Sequence, residues 1–543
     1  MALIPPARLP PLPLAAKRFF QWELGDITSW LILAAACLVG IEMLLFTAWV
    51  GDDAYISFRT VDNFINGYGL RWNVNERVQA YTNPLWMMLH IPFYYVWRKV
   101  FFLTLILSFA CTLASVAIVV RTFPKSPATT AFCLVVPLIF SRPWVDFAVS
   151  GLENPLSYLL FACFGWVFFH ADDKRRWFWL SIVTALALLN RLDTALIYFP
   201  PLVWLAWQER KTLPLRQIML GFLPLVAWFA FSLFYYGFLW PNTAYAKLDT
   251  GIAVIDYWQQ GWQYVYDLAV FHKPTCALLL AGIVLGTWCS RYAGTAKNAL
   301  LFSLTLGIAA YGLYIVAVGG DFMSGRFFSL PVFIAVWMLY AFAPCSMPLA
   351  YGIGIVLALC ALQLGNKTPY VWHNAGIADE RLYYLDGSLI GKRDFAWHTH
   401  TRVPWVMVGH TWKNNPSAAP KVLSNVGMQA FFAGPALAGV DRFGLTDPLL
   451  ARLPVKDPYD WRIGHFPRNI PEGYLHAIET GSTESMDKTL AKYYEKLHFI
   501  TSGPLWSWER METIVAFNLG VYDGWKDAYL KQSLHSLPLR DEK

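Results

Sequence analysis

Two adjacent carboxylates, Asp52 and Asp53, follow directly after a long apolar run at 29–50. A low-dielectric neighbourhood penalises each charge, so such a pair must be solvated, paired or liganded. One interpretation is a solvated helix end. The other is chemical, because a carboxylate here can act as general base toward a hydroxyl, or hold a metal ion or a catalytic water.

The segment after this pair interleaves aromatic rings with amides and charges. Its candidate binding residues are Tyr55, Arg59, Tyr81 and Asn83. Sugars require this mixture, because a ring face stacks on an aromatic side chain while the hydroxyls need hydrogen bonds. Aromatic belts at membrane interfaces have a similar composition, so the mixture alone does not settle its role.

Four more short segments place polar and charged residues at the ends of apolar runs. They contribute the further candidates Glu153, Arg191, Asp193, Asn242, Tyr245, Lys247, Asp321 and Arg326. A phosphate at membrane depth needs a cation, and arginine offers a planar fork that matches two phosphate oxygens.

The cation candidates are Arg59, Arg191, Lys247 and Arg326. Arg326 is favoured, because the glycines at 319, 320 and 325 let the backbone approach a ligand closely around Asp321. The alternative is local pairing, of Arg191 with Asp193 and of Arg326 with Asp321.

The rest of the sequence indicates what positions these residues. Of 543 residues, 56% are hydrophobic and only 15% are charged. Several apolar runs reach or approach the roughly 20 residues with which a helix crosses a bilayer, which excludes a soluble enzyme. We predict eleven spans, at 29–50, 100–120, 127–141, 155–170, 177–190, 193–207, 217–236, 275–290, 298–317, 328–344 and 347–364.

The stretch 83–99 is apolar but short and is interrupted by Pro92, which indicates a juxtamembrane or re-entrant helix. With this stretch left out of the count, the loops rich in Lys and Arg fall on the cytoplasmic side, as the positive-inside rule requires. The loops that remain outside are 51–99, 142–154, 190–192, 237–274 and 318–327. They hold or border every candidate named so far, so we predict one site on the extracytoplasmic face.

The chain divides into a cytoplasmic tail at 1–28, a transmembrane domain at 29–365 and an extracytoplasmic domain at 366–543. In the last domain, β-type runs at 403–408 and 421–424 and a helical pattern at 487–497 predict a small α+β fold. His465 lies there in a run of Trp, Arg and His at 461–468. These residues either cover a bound sugar or stabilise the fold of this domain.

Several function classes lose support. The chain has no P-loop and no dinucleotide, zinc-protease or serine-hydrolase motif. Its eight cysteines lie in apolar segments or at their ends without metal-binding spacing, as core residues do. The net charge of +7 fits cytoplasmic loops on a lipid bilayer better than nucleic acid, because the basic residues form no long run.

Together these motifs resemble the GT-C glycosyltransferases, and most closely the terminal arabinofuranosyltransferases of mycobacteria and the pilin arabinosyltransferases of Gram-negative bacteria. The resemblance covers most of the chain. It rests on the segments 52–59, 69–73, 77–86, 150–156, 190–193, 235–238, 241–247 and 319–327, with further similarity at 440–448 and 461–468.

The resemblance implies a polytopic α-helical membrane protein of the GT-C fold in the inner membrane of a bacterium. It implies transfer of a sugar, D-arabinofuranose, from a polyprenyl-phosphate donor to a periplasmic glycan or pilin-type protein acceptor. The essential carboxylate of that class carries over onto Asp52 or Asp53. The domain at 366–543 is shorter than the mycobacterial enzymes lead us to expect, which leaves the acceptor open. A divalent cation held by the two carboxylates also stays open.

Two rival functions fit a chain with many spans. A flippase or transporter of lipid-linked saccharides would show internal repeats, broken spans in matching halves and polar residues near the bilayer middle. A polymerase or ligase of surface polysaccharides would share the transfer chemistry and differ in its acceptor. The one-sided placement of the motifs favours a transferase over a transporter.

Overall fold

The computed structural model describes residues 26–172, 174–248, 250–292, 295–367, 370–388, 403–417 and 419–535. The tail predicted at 1–28 lies outside these residues except for its last three. The described chain is mostly helical.

The helices as far as residue 364 carry the apolar runs. In chain order they are α1 (Asp26–Thr47), α2 (Asp52–Ile65), α3 (Pro84–Val96), α4 (Val100–Thr122), α5 (Pro127–Phe140), α6 (Arg142–Ala148), α7 (Asn154–His170), α8 (Arg176–Asn190), α9 (Ala195–Gln208), α10 (Leu215–Tyr235), α11 (Asn242–Leu248), α12 (Val254–Phe271), α13 (Lys273–Cys289), α14 (Ala296–Ala317), α15 (Ser329–Phe342) and α16 (Leu349–Leu364).

Every segment that we predicted to span a membrane coincides closely with one of these helices. Within the described residues, four helices are long and apolar enough to cross a bilayer, namely α1, α4, α10 and α14. The bent pairs α5–α6, at 81°, and α12–α13, at 107°, raise this number to six if each pair is one span. Several apolar helices make this a polytopic membrane protein, while the count of eleven spans stays a prediction.

Helix α15 lies at the centre of the bundle. It is apolar on all sides and nearly every residue from Ser329 to Ala341 is buried, as expected of a helix that other helices surround. Small residues let its neighbours approach closely. A Cβ on Gly165 of α7 would lie 2.7 Å from Trp337, and one on Gly282 of α13 would lie 2.7 Å from the Ala335 Cβ.

Beyond residue 366 the described chain is again mainly helical. Its elements are α17 (Glu380–Ser388), α18 (Pro404–Asn414), β1 (Lys421–Leu423), α19 (Met428–Ala433), β2 (Gly439–Asp441), α20 (Tyr474–Thr480), α21 (Lys488–Ser502), α22 (Trp508–Asn518) and α23 (Asp523–His535). Strands β1 and β2 pair in parallel, with Lys421 opposite Gly439.

The strand that we predicted at 403–408 was wrong, because these residues begin helix α18. Pro404 at the first helical position presets a helical φ angle. The helix then packs on α19 so closely that a Cβ on Gly409 would lie 2.7 Å from the Gln429 carbonyl oxygen. The other two patterns match: 421–424 contains β1, and 487–497 opens α21, whose N-cap Asp487 accepts hydrogen bonds from two backbone amides.

A buried arginine joins the first loop (51–99) to the C-terminal segment. Arg59 of α2 donates from Nε to the Trp72 carbonyl at 2.7 Å and from Nη2 to the Leu437 carbonyl at 3.0 Å. It also donates to the carbonyls of Ala430 and Gly434. Its guanidinium therefore supplies donors to four backbone carbonyls. Two of these also have a second donor, Asn63 Nδ2 for Trp72 and the Leu437 amide for Gly434.

Replacing Arg59 by Met is expected to lower the midpoint of thermal unfolding in detergent. Each buried carbonyl left without a donor costs about 1–3 kcal/mol, and Met supplies no donor. Arg98→Met is the matched control. Arg98 is 45% exposed, meets Asp62 at 3.6 Å and lies 5.2 Å from the Tyr94 ring centroid; such an exposed ion pair contributes about 1 kcal/mol at most. Equal midpoints for the two variants would contradict the structural role of Arg59.

Candidate active site

A buried carboxylate, Glu153, stands at the centre of the candidate site. It precedes helix α7, and its Oε1 accepts from Arg191 Nη1 at 2.8 Å and from Arg326 Nη2 at 3.2 Å. Its Oε2 accepts from Asn83 Nδ2 at 3.0 Å. Burial raises the pKa of Glu153, but Arg326 and Arg191 outweigh it and hold the pKa at about 2. Glu153 is therefore a permanent anion that orders its neighbours.

Arg191 is fully engaged in this network. It follows α8 at the start of a 3₁₀ turn, and its Nε donates to Asp193 Oδ1 at 3.1 Å. The same Asp193 accepts from the Tyr311 hydroxyl at 3.1 Å, and the Arg191 guanidinium lies 4.9 Å from the Phe327 ring centroid. The local pairing alternative thus applies, and Arg191 also binds Glu153.

Arg326 bridges three carboxylates. Its Nη1 lies 3.6 Å from Asp53 Oδ2 and 3.5 Å from Asp321 Oδ2, while Nη2 binds Glu153. Gly325 precedes it with a φ of 75°, in the left-handed region that suits glycine, and a Cβ there would lie 2.7 Å from Pro143. Nη1 also donates to Met323 Sδ at 3.7 Å. All three Nη1 contacts are longer or weaker than strong hydrogen bonds, which leaves this edge of the guanidinium able to bind an anion.

Asp52 and Asp53 have different environments although they are adjacent in sequence. Asp52 accepts from the backbone amides of Met428 at 2.7 Å and Gly427 at 3.0 Å, and its own amide donates to the Tyr384 hydroxyl at 3.1 Å. Burial raises the pKa of Asp52 to about 7, although these two amides oppose the shift. Asp52 thus anchors the start of α19.

Asp53 instead faces the charged network, and its side chain is 32% exposed. Burial raises its pKa above the ordinary value, Arg326 and Lys247 lower it, and Asp321 and Glu153 raise it further. Of the two adjacent carboxylates, Asp53 is the one placed to meet a ligand.

Two further charged residues complete this region: Glu380, which the sequence analysis missed, and Arg462, which lies in the run at 461–468. Glu380 opens α17, and its Oε1 lies 3.8 Å from Arg462 Nη2. Burial, and next the charge of Asp53, raise the pKa of Glu380 to about 8. No motif spacing marks Glu380, because it begins a helix outside every predicted motif and its interaction with Asp53 is purely tertiary.

His465 lies at the edge of the region. Its ring meets those of Phe322 and Phe443 edge-on, at 4.7 Å and 5.4 Å between centroids. Burial, followed by the positive charge of Arg462, lowers the pKa of His465 to about 4, so the ring is neutral near pH 7. Lys247, at the exposed end of α11, acts electrostatically on both His465 and Asp53.

The remaining candidates lie away from the network and hold loops together. Tyr55 packs edge-on against Phe58 and Phe431, and Tyr81 shares a 2.7 Å hydrogen bond with Tyr236. Asn242 donates to the carbonyls of Gly444 and Asp447 at 2.8 and 3.0 Å. The Arg452 guanidinium lies 4.4 Å from the ring centroid of Tyr245. With Arg59, these residues position the segments that carry the site.

The described residues form no preformed site for a divalent cation. Among the residues that the structure describes, no group of three or more His, Cys, Asp or Glu side chains is arranged to hold a metal ion. Both carboxylate oxygens of Asp52 are occupied by backbone amides. The cation therefore stays an untested prediction, and Asp53 would have to supply the protein ligand from this pair.

The Asp52 anchor depends on the absence of a side chain at Gly427. A Cβ at that position would lie 1.8 Å from the Asp52 carbonyl oxygen, so Gly427→Ala must displace α2 or α19. We expect it to lower the free energy of unfolding by about 1–3 kcal/mol, as overpacking does. Thermal unfolding measures this, with Gly312→Ala as control because no atom lies within 4 Å of its Cβ. Unfolding midpoints that match between the two variants would contradict the anchor.

This chain is similar in sequence to known arabinofuranosyltransferases. No family model and no solved structure matches the chain. The terminal β-(1→2)-arabinofuranosyltransferase of Corynebacterium glutamicum is 28% identical over 386 residues, which cover 62% of this chain and 55% of that protein. The protein of the same name from Mycobacterium tuberculosis is 27% identical over 406 residues, covering 64% and 62%. The chain thus spans less than two thirds of the length of either relative, and its resemblance to the terminal arabinofuranosyltransferases is confirmed.

Proposed function

We propose that this protein is a glycosyltransferase of the GT-C type that works on the periplasmic side of a bacterial inner membrane. The observation that carries the proposal is the pairing of Asp53 with Arg326. A partly exposed carboxylate and a cation with spare donor capacity meet at the edge of one buried network. These are the two groups that sugar transfer from a phosphate donor requires.

The proposed donor is a polyprenyl-phosphate-linked D-arabinofuranose. The printed names of the two relatives support this sugar. A shallow, mainly apolar surface pocket supports the lipid, since Leu188 of α8 and Leu225 and Trp228 of α10 line it. Its remaining wall includes Thr82 and Pro84, which flank the Asn83 that binds Glu153. A prenyl chain there would bring its phosphate toward Arg326.

The proposed reaction makes one bond and breaks another. The oxygen of an acceptor hydroxyl attacks the anomeric carbon, and its proton passes to Asp53. The bond from that carbon to the phosphate oxygen breaks, and polyprenyl phosphate leaves with its negative charge stabilised by Arg326. The carboxylates of Glu153 and Asp321 surround Arg326 and favour the positive charge that develops on the sugar ring.

Asp53→Asn is expected to reduce transfer by about 10²- to 10⁴-fold, because the amide cannot accept the hydroxyl proton. The assay supplies purified protein in nanodiscs with synthetic polyprenyl-phosphoryl arabinofuranose and an arabinofuranoside acceptor. Mass spectrometry then follows release of polyprenyl phosphate and the glycosylated product. The matched control is Asp256→Asn, in the first turn of α12.

Undiminished transfer by a folded Asp53→Asn protein would contradict the role of Asp53. Wild-type protein that moves donor across vesicles without releasing polyprenyl phosphate would be a flippase instead. Polyprenyl-phosphoryl mannose tests the choice of sugar, and parallel assays with EDTA test the divalent cation. A pilin-derived peptide beside the glycan tests the class of acceptor.

The pH dependence of transfer reports on the same pair. Asp53 must be ionised to act as base, so activity is lost as pH falls through its pKa. Arg326 lowers that pKa, hence Arg326→Gln should raise it and move the acid limb of kcat/KM to higher pH. Arg442→Gln, at an exposed position, should leave the limb in place. If Arg326→Gln lowered the rate but left the acid limb in place, Arg326 would act only on the phosphate and would not set the pKa of Asp53.

A further inference from the structure

Beside the charged network lies a rigid loop at 371–379. Ala378 donates its amide to the Phe322 carbonyl at 2.7 Å and accepts from the Ser324 amide at 2.9 Å. The loop is thereby tied to the backbone between Asp321 and Arg326. Ala375 within it has a φ of 57°, a left-handed conformation that only firm surrounding contacts maintain in a residue with a Cβ.

Three aromatic rings gather where this loop meets α17 and α18. Trp372 is 53% exposed and Tyr383 is 38% exposed. The Tyr383 ring stacks on that of Trp405, with 5.3 Å between centroids and 16° between planes. Trp372 meets Tyr383 edge-on at 6.4 Å. We call Trp372, Tyr383 and Trp405 the aromatic platform.

The platform is continuous with the candidate active site. The Arg462 guanidinium lies 4.7 Å from the Trp372 ring centroid and reaches toward Glu380, whose charge is coupled to that of Asp53. On the other side, Tyr383 adjoins Tyr384, the residue that accepts the Asp52 amide. The exposed rings thus adjoin the Arg462 guanidinium and the Glu380 carboxyl, and Glu380 interacts electrostatically with Asp53.

We propose that the aromatic platform, with Glu380 and Arg462 beside it, binds a glycan acceptor and guides its terminal hydroxyl to Asp53. The rings stack on successive sugar faces, while the carboxyl and the guanidinium bind hydroxyls. This inference rests on the proposed glycosyltransferase function and names the acceptor class for the same site.

Aromatic residues at a lipid interface give a rival occupant, because Trp and Tyr also form belts at membrane surfaces. The Glu380–Arg462 pair favours the glycan. A belt needs only rings at headgroup depth, whereas here the rings adjoin polar groups that lead to the proposed base. Attachment of the loop to the Asp321–Arg326 segment also holds Trp372 at a constant place relative to the site.

Trp372→Ala is expected to raise the acceptor KM about tenfold and leave the donor KM unchanged, because one stacking surface is lost. The probe is a linear tri-arabinofuranoside, used with the full chain in nanodiscs. Trp372→Phe should keep most of the affinity, since it retains a ring. Trp508→Ala is the matched control, as this tryptophan is 76% exposed on α22.

A second measurement separates binding from transfer. Saturation-transfer NMR should detect the trisaccharide on wild-type and Asp53→Asn protein alike, and detect it weakly on Trp372→Ala. If the trisaccharide bound in a Trp372-dependent way but the wild type transferred no sugar, the proposed binding role of the platform would stand and the proposed glycosyltransferase function would be wrong.

If the protein transferred sugar but Trp372→Ala left the acceptor KM unchanged, the proposed role of the platform would be wrong and the glycosyltransferase function would stand. Equal effects of Trp372→Ala on the donor and acceptor KM values would indicate a lipid-facing belt and overturn the platform. A pilin-derived peptide that is glycosylated while the trisaccharide neither binds nor reacts would also overturn it.

Discussion

One buried carboxylate, Glu153, sets the geometry on which the site depends. An uncompensated charge at the start of a packed helix is prohibitively costly, so partners must be held close to it. Those partners come from three other segments: Asn83 from the first loop, Arg191 from the end of α8 and Arg326 from the glycine-rich loop. Segments that are far apart in sequence are thereby held together around Glu153, at the end of the apolar helices.

The network around Glu153 holds more negative than positive charge. Four carboxylates, those of Asp53, Glu153, Asp193 and Asp321, share two guanidiniums, those of Arg191 and Arg326. Arg191 donates at short distance to Glu153 and Asp193, whereas Nη1 of Arg326 makes only long contacts, to Asp53, Asp321 and Met323. This asymmetry makes Arg326 the better phosphate ligand in the proposed reaction. The carboxylates suit a sugar that becomes cationic as its phosphate leaves.

The C-terminal segment contributes to the site through its backbone as well as through the side chains of Glu380 and Arg462. With little sheet in the described chain, many loop carbonyls and amides need side-chain partners. Arg59 supplies donors to the 430–437 loop, Arg510 supplies donors to the end of α10, and Asp52 accepts the amides that open α19. Several conspicuous motif residues therefore hold the loops in place, and the chemistry is left to a smaller group.

Sequence alone determined the apolar helices as far as residue 364, because length and hydropathy are local properties, but it took the start of α18 for a strand. It also indicated the local pairs Arg191–Asp193 and Arg326–Asp321 and the importance of the Asp52–Asp53 pair. Tertiary structure alone placed Glu153 between two arginines, revealed Glu380 and its pairing with Arg462, and assigned Tyr81 and Asn242 to loop contacts. It also distinguished Asp52 from Asp53. Adjacent carboxylates look alike in sequence, and what separates them is that α19 brings two amides to one while the other faces Arg326.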